Sequence, residues 1–298
     1  NYRGGVTERL KIDYDTIKKI NPNIIYASGS GFGQYGPITH RPCYDIVAQA
    51  MGGMLNLTGF KENDPVKVGP SVADHVAGIY LMVGVGMALY HREKTGEGQH
   101  IDVSMFDVIF SLLENAIVNY TMGGFIPERN GNVDPSIAPF DVYACKDGFV
   151  ALGVGNDKLF NKFANIIGHQ ELLEDERYKD NVSRCDNYIP DLQNLIREWC
   201  ADYTKSEIED IMDEAGIPCG PVLNVKEAIE HPQIQAREMM VHMEHPAIGD
   251  MYFQGCPVKL SATPPSIDTP APLLGQHNQE VFHLDEEACE KLKEEGVL

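Results

Sequence analysis

A short apolar strand followed at once by a glycine-rich loop is the feature that most limits the fold of this chain. Asn23–Ser28 reads Asn-Ile-Ile-Tyr-Ala-Ser, which is typical of a strand buried in a sheet with helices on its faces. Gly31–Gly36 then fits the G-x-G-x-x-G spacing of a dinucleotide-binding loop. Such a loop must open directly into a helix, whereas Pro37 and the polar Thr39–Pro42 follow here. We therefore predict an α/β fold in which these glycines allow a tight turn or the close approach of a ligand, not NAD binding.

Length and charge limit the partners that such a chain is expected to have. The 298 residues carry a formal net charge of −20, which argues against nucleic acid or an anionic membrane as the main partner. Residues 1–50 are the exception, with six lysines and arginines against four acidic residues. A phosphate-bearing ligand is therefore expected at the amino-terminal end. Seven cysteines without a Cys-x-x-Cys pair indicate a cytoplasmic protein with free thiols and no structural zinc site.

Asp74 is the leading catalytic candidate among the acidic residues. It lies in Val68–Gly78, where an extended, proline-containing stretch meets a run of small and apolar residues. An aspartate at such a junction is predicted to cap the helix and to stay ionised in the field of the helix dipole. An ionised carboxylate needs no base to attack an activated acyl group. The alternative is that Asp74 caps the helix and has no catalytic role.

The apolar segment after Asp74 is predicted to be a buried helix. Val76–Tyr90 is shorter than the roughly 20 residues that span a membrane, so no membrane partner is expected. Its three glycines are interpreted as places where a neighbouring element approaches the helix closely.

The chain divides into three regions, residues 1–122, 123–216 and 217–298, where its pattern changes. The third region is rich in proline and is predicted to be a strand followed by a long extended return. Lys146–Gly148 reads Lys-Asp-Gly, a hairpin turn signal. Predicted helices are Asp15–Ile20, Tyr44–Met51, Met105–Met122, Lys158–Ile167, Ile189–Tyr203, Lys205–Ala215 and Asp285–Glu294, and further predicted strands are His100–Val103, Phe140–Ala144 and Phe149–Val154.

Other catalytic and metal-binding patterns are weak. His242 and His245 are close in sequence, but no third ligand is near and Pro246 favours a solvated turn. No Gly-x-Ser-x-Gly sequence marks a serine nucleophile, and no cysteine lies in the sequence context of a catalytic thiol. We therefore expect no metal site and no nucleophile of these two types.

Several segments in order along the chain resemble the class III CoA-transferases, the family of the formyl-CoA, carnitine and bile-acid CoA-transferases. The resemblance extends over essentially the whole chain, because the segments are spread from one end to the other. They are Gly31–Pro37, Tyr44–Gly53, the segment at Asp74, Lys94–Met105, Gly216–Val222 and Ala271–Val281.

This resemblance implies an enzyme that transfers CoA between an acyl-CoA and a small carboxylic acid, with coenzyme A as co-substrate and no metal. Asp74 matches the family's nucleophile, which forms an aspartyl mixed anhydride and then an aspartyl-CoA thioester. Arg9 matches the arginine that contacts CoA. Asn1, Tyr2 and Arg3 match the segment that lines the CoA path.

Tyr44 matches a position near the acyl and thioester end of the ligand, and it separates two branches of the family. The α-methylacyl-CoA racemases carry a histidine there, which acts with the aspartate as a second acid–base group. The tyrosine therefore favours transfer over racemisation, with His40 and His75 as candidate substitutes for that histidine. A core tyrosine at position 44, and a catalytically inactive acyl-CoA-binding fragment, are the remaining alternatives.

The resemblance also implies a Rossmann-like large domain with an inserted smaller α+β domain, in an interlocked homodimer. Residues 1–122 and 217–298 match parts of the large domain, and residues 123–216 match the small domain. The family's usual amino-terminal Rossmann-like segment has no counterpart before Asn1. Asn130–Pro139 lies where the formyl-CoA branch has a second glycine-rich loop, and it is no clear copy of that loop. Oxalate is therefore not the expected acid.

Overall fold

The computed structural model describes residues 1–297 and has the predicted mixed α/β content. It contains two compact units, of which the first is Asn1–Pro221 and the second begins at Val222. The division into residues 1–122, 123–216 and 217–298 stays a prediction.

In the first unit, the sequence pattern placed most elements within a few residues of their bounds. The α-helices are α1 (Val6–Leu10), α2 (Tyr14–Ile20), α3 (Asp45–Met51), α4 (Met54–Leu57), α5 (Val72–Thr95), α6 (Met105–Ser111), α7 (Asn115–Thr121), α8 (Asp157–Ile166), α9 (Asn181–Asp186), α10 (Gln193–Ala201) and α11 (Lys205–Ala215). The strands are β1 (Tyr26–Ser30), β2 (His100–Ser104), β3 (Phe140–Cys145), β4 (Gly148–Gly153) and β5 (Cys219–Pro221). A 3₁₀ turn (Gln170–Leu173) and a π-helical turn (Tyr188–Leu192) complete the unit.

A parallel strand pair organises the amino-terminal part of this unit. β1 and β2 pair in register from Tyr26 opposite His100 to Ser30 opposite Ser104. Helices α3, α5 and α6 pack on one another through a small apolar cluster, in which Ala48 of α3 and Ala73 of α5 are fully buried. Because both side chains are small, α3 and the first turn of α5 lie close together.

A second, larger core lies between the antiparallel sheet β3–β4–β5 and helices α8, α10 and α11. Tyr143 of the sheet, Phe163 of α8 and Ile196 of α10 are fully buried in it. Burial of a phenylalanine or isoleucine side chain contributes about 1.5–3 kcal/mol. The predicted turn at Lys146–Gly148 is confirmed, because β3 and β4 form a hairpin there.

Two predicted helices have different bounds in the structure. The single helix Met105–Met122 is wrong, because α6 ends at Ser111 and Glu114 adopts a φ of 48° before α7 begins. That apolar segment contains no glycine or proline, so nothing in it signals the break. The helix predicted from Ile189 begins regularly only at α10. Ile189 has φ −103° and ψ 133°, since the residue before a proline is disfavoured in the helical region.

Helix α5 is largely exposed, so the prediction of a buried helix is wrong. Its buried residues are Ala73, Ala77 and Ala88, whereas Met82 and Met87 are 60% and 67% exposed. An apolar helix is expected to be covered by other parts of the protein, but within residues 1–297 no element packs over most of α5. In length and apolar character α5 also meets the requirement for a membrane span, a test that core helices of soluble proteins pass as well.

Close packing occurs at one of the three glycines of α5. A Cβ at Gly84 would lie 2.8 Å from Cγ2 of Ile101 on β2, so the helix and the strand approach closely there. At Gly78 and Gly86 an added Cβ would meet no described atom within 4 Å. The prediction of close approach is therefore confirmed at Gly84 alone.

The second unit contains a hairpin and four helices among its described residues. These elements are α12 (Val225–Glu230), α13 (Pro232–Ala236), β6 (Met240–His245), β7 (Gly249–Gln254), α14 (Asn278–Phe282) and α15 (Glu286–Glu294). Residues 255–277 contain no helix or strand, as predicted for an extended return. The predicted turn begins at Pro246, between β6 and β7, but His242 and His245 lie on β6 before it. His242 Nε2 lies 2.8 Å from Asp250 Oδ1 across the hairpin. Over residues 1–297 no group of three or more His, Cys, Asp and Glu side chains is arranged to hold a metal.

Candidate active site

Asp74 is the third residue of α5, which begins at Val72. It therefore lies inside the first turn, and Ser71 at the cap position makes no side-chain hydrogen bond. The amide of Ala73 instead donates to Oδ1 of Asp45 on α3, at 2.8 Å. The prediction that Asp74 caps the helix is wrong, because Asp45 satisfies this free amide. The carboxylate of Asp74 is left available for another role.

The Asp74 side chain is exposed and lines a cavity of about 420 Å³ between the end of β1 and the start of α5. Within residues 1–297 it has no hydrogen-bond or ion-pair partner. The cavity volume falls in the range of small-molecule sites, roughly 300–1,000 Å³. Because Asp74 lies in the first turn, the helix dipole stabilises its negative charge.

Part of the cavity wall is backbone. Gly29 on β1 and Gly31 in the loop that follows contribute it, because neither has a side chain. Cys43 packs so closely on Gly31 that a Cβ at position 31 would overlap the Cβ of Cys43. Glycine is required at position 31, because any side chain there displaces Cys43 from the wall.

The Gly31–Gly36 loop folds on itself and does not enter a helix. Gly33 N–H donates to Ser30 Oγ at 3.0 Å, and Gln34 N–H donates to Asp102 Oδ2 at 2.8 Å. Gly33 has a φ of 78°, in the left-handed region that favours glycine. Because no helix begins until α3, the loop lacks the helix amino terminus that a dinucleotide pyrophosphate requires.

Two of the residues predicted to contact CoA line the same cavity as Asp74. These are Asn1 and Tyr44. Tyr44 is 81% exposed, which excludes a core tyrosine within residues 1–297. The structure therefore brings a phenol, an amide and a carboxylate together around one opening.

Tyr2, Arg3 and Arg9 lie outside the lining of this cavity, and all three are exposed. Arg3 Nη1 donates to the carbonyl of His40 at 3.2 Å, and the Tyr2 carbonyl accepts from Gln34 Nε2 at 3.1 Å. These bonds tie the first residues of the chain to the glycine-rich loop at Gln34 and to the segment after it at His40. Contact of the three side chains with CoA stays a prediction.

Cys43 is a second potential nucleophile in the cavity, and its surroundings favour the protonated thiol. Burial raises the pKa of Cys43 above its ordinary value, and the carboxylates of Asp74 and Asp45 raise that pKa further, against the opposing effect of the Ala48 amide. A thiol with a raised pKa carries less thiolate at neutral pH and reacts more slowly. Asp74 is therefore favoured over Cys43 as the candidate nucleophile of this cavity.

Alkylation of Cys43 by iodoacetamide at neutral pH is expected to be slow and to become faster in the variant Asp74→Asn. The substitution removes a negative charge that disfavours the thiolate, so the pKa of Cys43 falls and its thiolate fraction rises. The rate is measured by mass spectrometry of the peptide that contains Cys43. Asp15→Asn removes an exposed first-turn carboxylate of α2 and is expected to leave the rate unchanged. Equal rates in wild type and Asp74→Asn would contradict the proximity of the two groups.

A histidine for two-base racemisation is absent from the lining of the cavity, all of whose residues are described. His75 lies one position after Asp74, but its Nδ1–H donates to the carbonyl of Ser71 at 2.9 Å and it does not line the cavity. His40 also lies outside the lining. The lining of the cavity therefore contains a carboxylate, that of Asp74, without an imidazole partner.

Two residues that bond the backbone on either side of the first turn of α5, Asp45 and Gln49, were missed by the sequence reasoning. Both are buried, and Gln49 Nε2 donates to Asp45 Oδ2 at 2.7 Å. Val68 N–H in turn donates to Gln49 Oε1 at 3.0 Å. An acid and an amide four residues apart on a short helix were the available signal, since such positions share one face. Their partners Val68 and Ala73 belong to another segment, which this signal does not reveal.

The fold is shared with a solved structure, a CAIB/BAIF family protein from Brucella suis. The two chains superpose with a TM-score of 0.80 at 33% sequence identity, over 95% of this chain and 73% of that chain. The likeness extends beyond the sheet and helices at the cavity, because it covers nearly all of this chain.

The sequence is also similar to named CoA-transferases. Acetyl-CoA:oxalate CoA-transferase of Acetobacter aceti is 40% identical over 88% of this chain and 66% of that protein. Succinyl-CoA–D-citramalate CoA-transferase of Chloroflexus aurantiacus is 33% identical over 95% of this chain and 70% of that protein. Succinyl-CoA:glutarate CoA-transferase of Homo sapiens is 32% identical over 100% of this chain and 69% of that protein. This chain thus spans about two thirds of the length of these relatives. Residues 1–278 match the sequence model of CoA-transferase family III, and the chain belongs to that family of enzymes.

Proposed function

We propose that this protein transfers CoA from an acyl-CoA to a carboxylic acid through a covalent intermediate on Asp74. The position of Asp74 carries the proposal: an exposed carboxylate in the first turn of α5, on the wall of a cavity of about 420 Å³. The relatives support the reaction class, since those compared above are named CoA-transferases. No external energy is required, because one thioester replaces another.

The first half of the proposed reaction moves CoA onto the enzyme. The Asp74 carboxylate attacks the thioester carbonyl of the donor, the carbon–sulfur bond breaks, and CoA thiolate leaves a mixed anhydride behind. The thiolate then attacks the side-chain carbonyl of residue 74. This second attack releases the donor acid as its carboxylate and forms an aspartyl-CoA thioester.

The second half returns CoA to the acceptor. The acceptor carboxylate attacks the aspartyl thioester, which forms a new mixed anhydride and frees CoA thiolate again. The thiolate attacks the acceptor's carbonyl, giving the new acyl-CoA and restoring the Asp74 carboxylate. Each attack passes through a tetrahedral oxyanion, and we assign the Gly31 amide on the cavity wall as one of its hydrogen-bond donors.

CoA is proposed to reach the cavity along the amino-terminal segment. Asn1 and Tyr44 lie at the cavity itself, next to the position of the thioester. Tyr2, Arg3 and Arg9 are assigned to the remainder of the CoA molecule, where arginine guanidinium groups suit its phosphates. This assignment agrees with the positive charge balance of residues 1–50.

We further propose that the acceptor is a small dicarboxylic acid. The relatives are named for oxalate, citramalate and glutarate, which share two carboxylates on a short chain. Oxalate is included, against the expectation from Asn130–Pro139, because the relative named for it is 40% identical to this chain. A panel of dicarboxylic acids, tested as acceptors with succinyl-CoA as donor, identifies the acid.

The proposed architecture is that of the family resemblance. Residues 123–216 form the small α+β domain, in agreement with the large apolar core that helices α8, α10 and α11 share with strands β3 and β4. The flanking residues belong to a Rossmann-like large domain, and two chains form an interlocked homodimer in the cytoplasm. Sedimentation velocity of the full-length protein tests the dimer, since a monomer at micromolar concentration would contradict it.

Trapping with hydroxylamine tests the covalent intermediate. The protein is incubated with succinyl-CoA and hydroxylamine, and the peptide that contains Asp74 is analysed by mass spectrometry. The aspartyl thioester is expected to become an aspartyl hydroxamate at residue 74, because hydroxylamine attacks activated carbonyls. Transfer activity with no modification at Asp74 would contradict the mechanism. A racemase would instead incorporate deuterium at the α-carbon of a chiral 2-methylacyl-CoA in deuterated water.

A further inference from the structure

We propose that Asp45 and Gln49 are positioning residues that set the orientation of Asp74 from outside the cavity. This inference rests on the proposed function of Asp74. Neither residue lines the cavity, and both are buried, Asp45 at 7% exposure and Gln49 at 0%. They act through the backbone on either side of the turn that carries the nucleophile.

A chain of three hydrogen bonds joins the two helices. Ala73 N–H, directly before the nucleophile, donates to Asp45 Oδ1 at 2.8 Å. Gln49 Nε2 donates to Asp45 Oδ2 at 2.7 Å. Val68 N–H donates to Gln49 Oε1 at 3.0 Å. The two side chains therefore hold both the extended approach to α5 and its first turn against α3.

The hydrogen bonds of Asp45 and Gln49 form a clamp on the first turn of α5. This clamp matters because Asp74 itself has no described partner that fixes its carboxylate. Its orientation depends on the backbone of the first turn, and that backbone is held at Ala73. Asp45 follows Tyr44 in the chain, so the same anchor also fixes the segment that places the Tyr44 side chain at the cavity. A reacting group displaced by about 1 Å can lose on the order of 10²-fold in rate. Loss of the clamp is therefore expected to lower the rate of the chemical step.

Two variants separate the effect of the hydrogen bonds on the reaction rate from the effect of net charge. Asp45→Asn keeps the shape of the side chain but replaces one acceptor oxygen with an NH₂ donor, which faces the Gln49 amide donor. Rotating the Gln49 amide repairs that contact and presents its NH₂ to Val68 N–H, so one mismatch persists in either orientation. Adding Gln49→Glu restores all three bonds, because the new carboxylate accepts both from the new amide at position 45 and from Val68 N–H. The double variant has the same net charge as wild type.

The reaction is measured as exchange of isotopically labelled succinate into succinyl-CoA, with kcat and KM determined separately. Asp45→Asn is expected to lower kcat by about 10- to 100-fold with a KM for succinyl-CoA that changes little. The double variant is expected to recover kcat to near the wild-type value. Asp180→Asn is the matched control, because Asp180 caps α9 through Ser183 N–H at 2.8 Å, away from the cavity. That control is expected to keep the wild-type kcat.

A wild-type kcat in folded Asp45→Asn would overturn the proposal, as would a double variant that folds but does not recover. A purely structural role would lower the unfolding temperature and leave kcat unchanged. If Asp45→Asn does not fold, Gln49→Met is tested instead, because this variant keeps the hydrogen bond from Ala73 N–H to Asp45. An unchanged kcat in Gln49→Met would also overturn the proposal.

Failure of the proposed function gives a different result. If wild type itself shows no exchange, the assignment of CoA transfer is at fault. The position of the Asp74 carboxylate in crystal structures of wild type and Asp45→Asn then decides the inference. A carboxylate in the same place in both would refute the positioning role.

Discussion

Replacing Asp74 by alanine is expected to abolish exchange between succinate and succinyl-CoA, with a loss on the order of 10³-fold or more, as for other covalent nucleophiles. Cys43 of the same cavity is not expected to take its place, since its surroundings favour the protonated thiol. The free energy of unfolding is expected to fall by only about 0.3–1 kcal/mol, because the carboxylate makes no described hydrogen bond and loses only its interaction with the helix dipole. Isotope exchange and urea unfolding measure the two effects on the same preparation.

Asp15→Ala is the control for this experiment. Asp15 is also exposed and also lies in the first turn of a helix, α2, so its loss reproduces the change in charge and in dipole interaction. Activity within about twofold of wild type is expected for it, because α2 does not line the cavity. Substantial exchange by Asp74→Ala would remove the basis of the mechanism.

Replacing Arg184 by methionine is expected to lower the free energy of unfolding by about 2–5 kcal/mol. The guanidinium group is fully buried and donates to the carbonyls of Ala138 and Tyr178, at 2.9 and 3.2 Å. Methionine fills part of the space but leaves both buried carbonyls without these donors, at roughly 1–3 kcal/mol each. The ion pair with Asp157 at 2.7 Å contributes less, because Asp157 is 59% exposed. Urea unfolding monitored by circular dichroism measures the change.

Arg177→Met is the matched control for this second prediction. Arg177 bridges Asp175 and Asp191, but its side chain is 51% exposed. Exposed ion pairs contribute about 0–1 kcal/mol, so this variant should unfold close to wild type. Equal destabilisation by the two substitutions would show that burial of Arg184 is not the source of its effect.

The helices with strong local end signals were predictable from sequence. α11 has the predicted bounds, because Thr204 and Glu207 form a capping box at its start and Gly216 adopts the left-handed conformation at its end. The break at Glu114 lacks any such signal. Whether another element covers the apolar face of α5 was not predictable either, because amino-acid composition gives the hydrophobicity of a helix but not its contacts.

The candidate site was predictable where one segment defines it. The junction at Asp74 and the glycine-rich loop that begins at Gly31 are local features of the sequence, and Asp74 and Gly31 line one cavity. The cap of α5 was not predictable, because its acceptor comes from Asp45, which is 28 residues before Ala73. Such a pairing depends on how α3 and α5 pack, and only the folded chain supplies it.

The contact between Gly31 and Cys43 determines where acceptor preference can be engineered. A library that mutates position 31 would yield mostly misfolded or inert clones, because no larger residue fits beside Cys43. Leu81 and Met105 also face the cavity and end in flexible apolar groups whose bulk can be varied. Diversifying these two positions, with glycine retained at 31, is the rational route to variants that take longer or shorter acids.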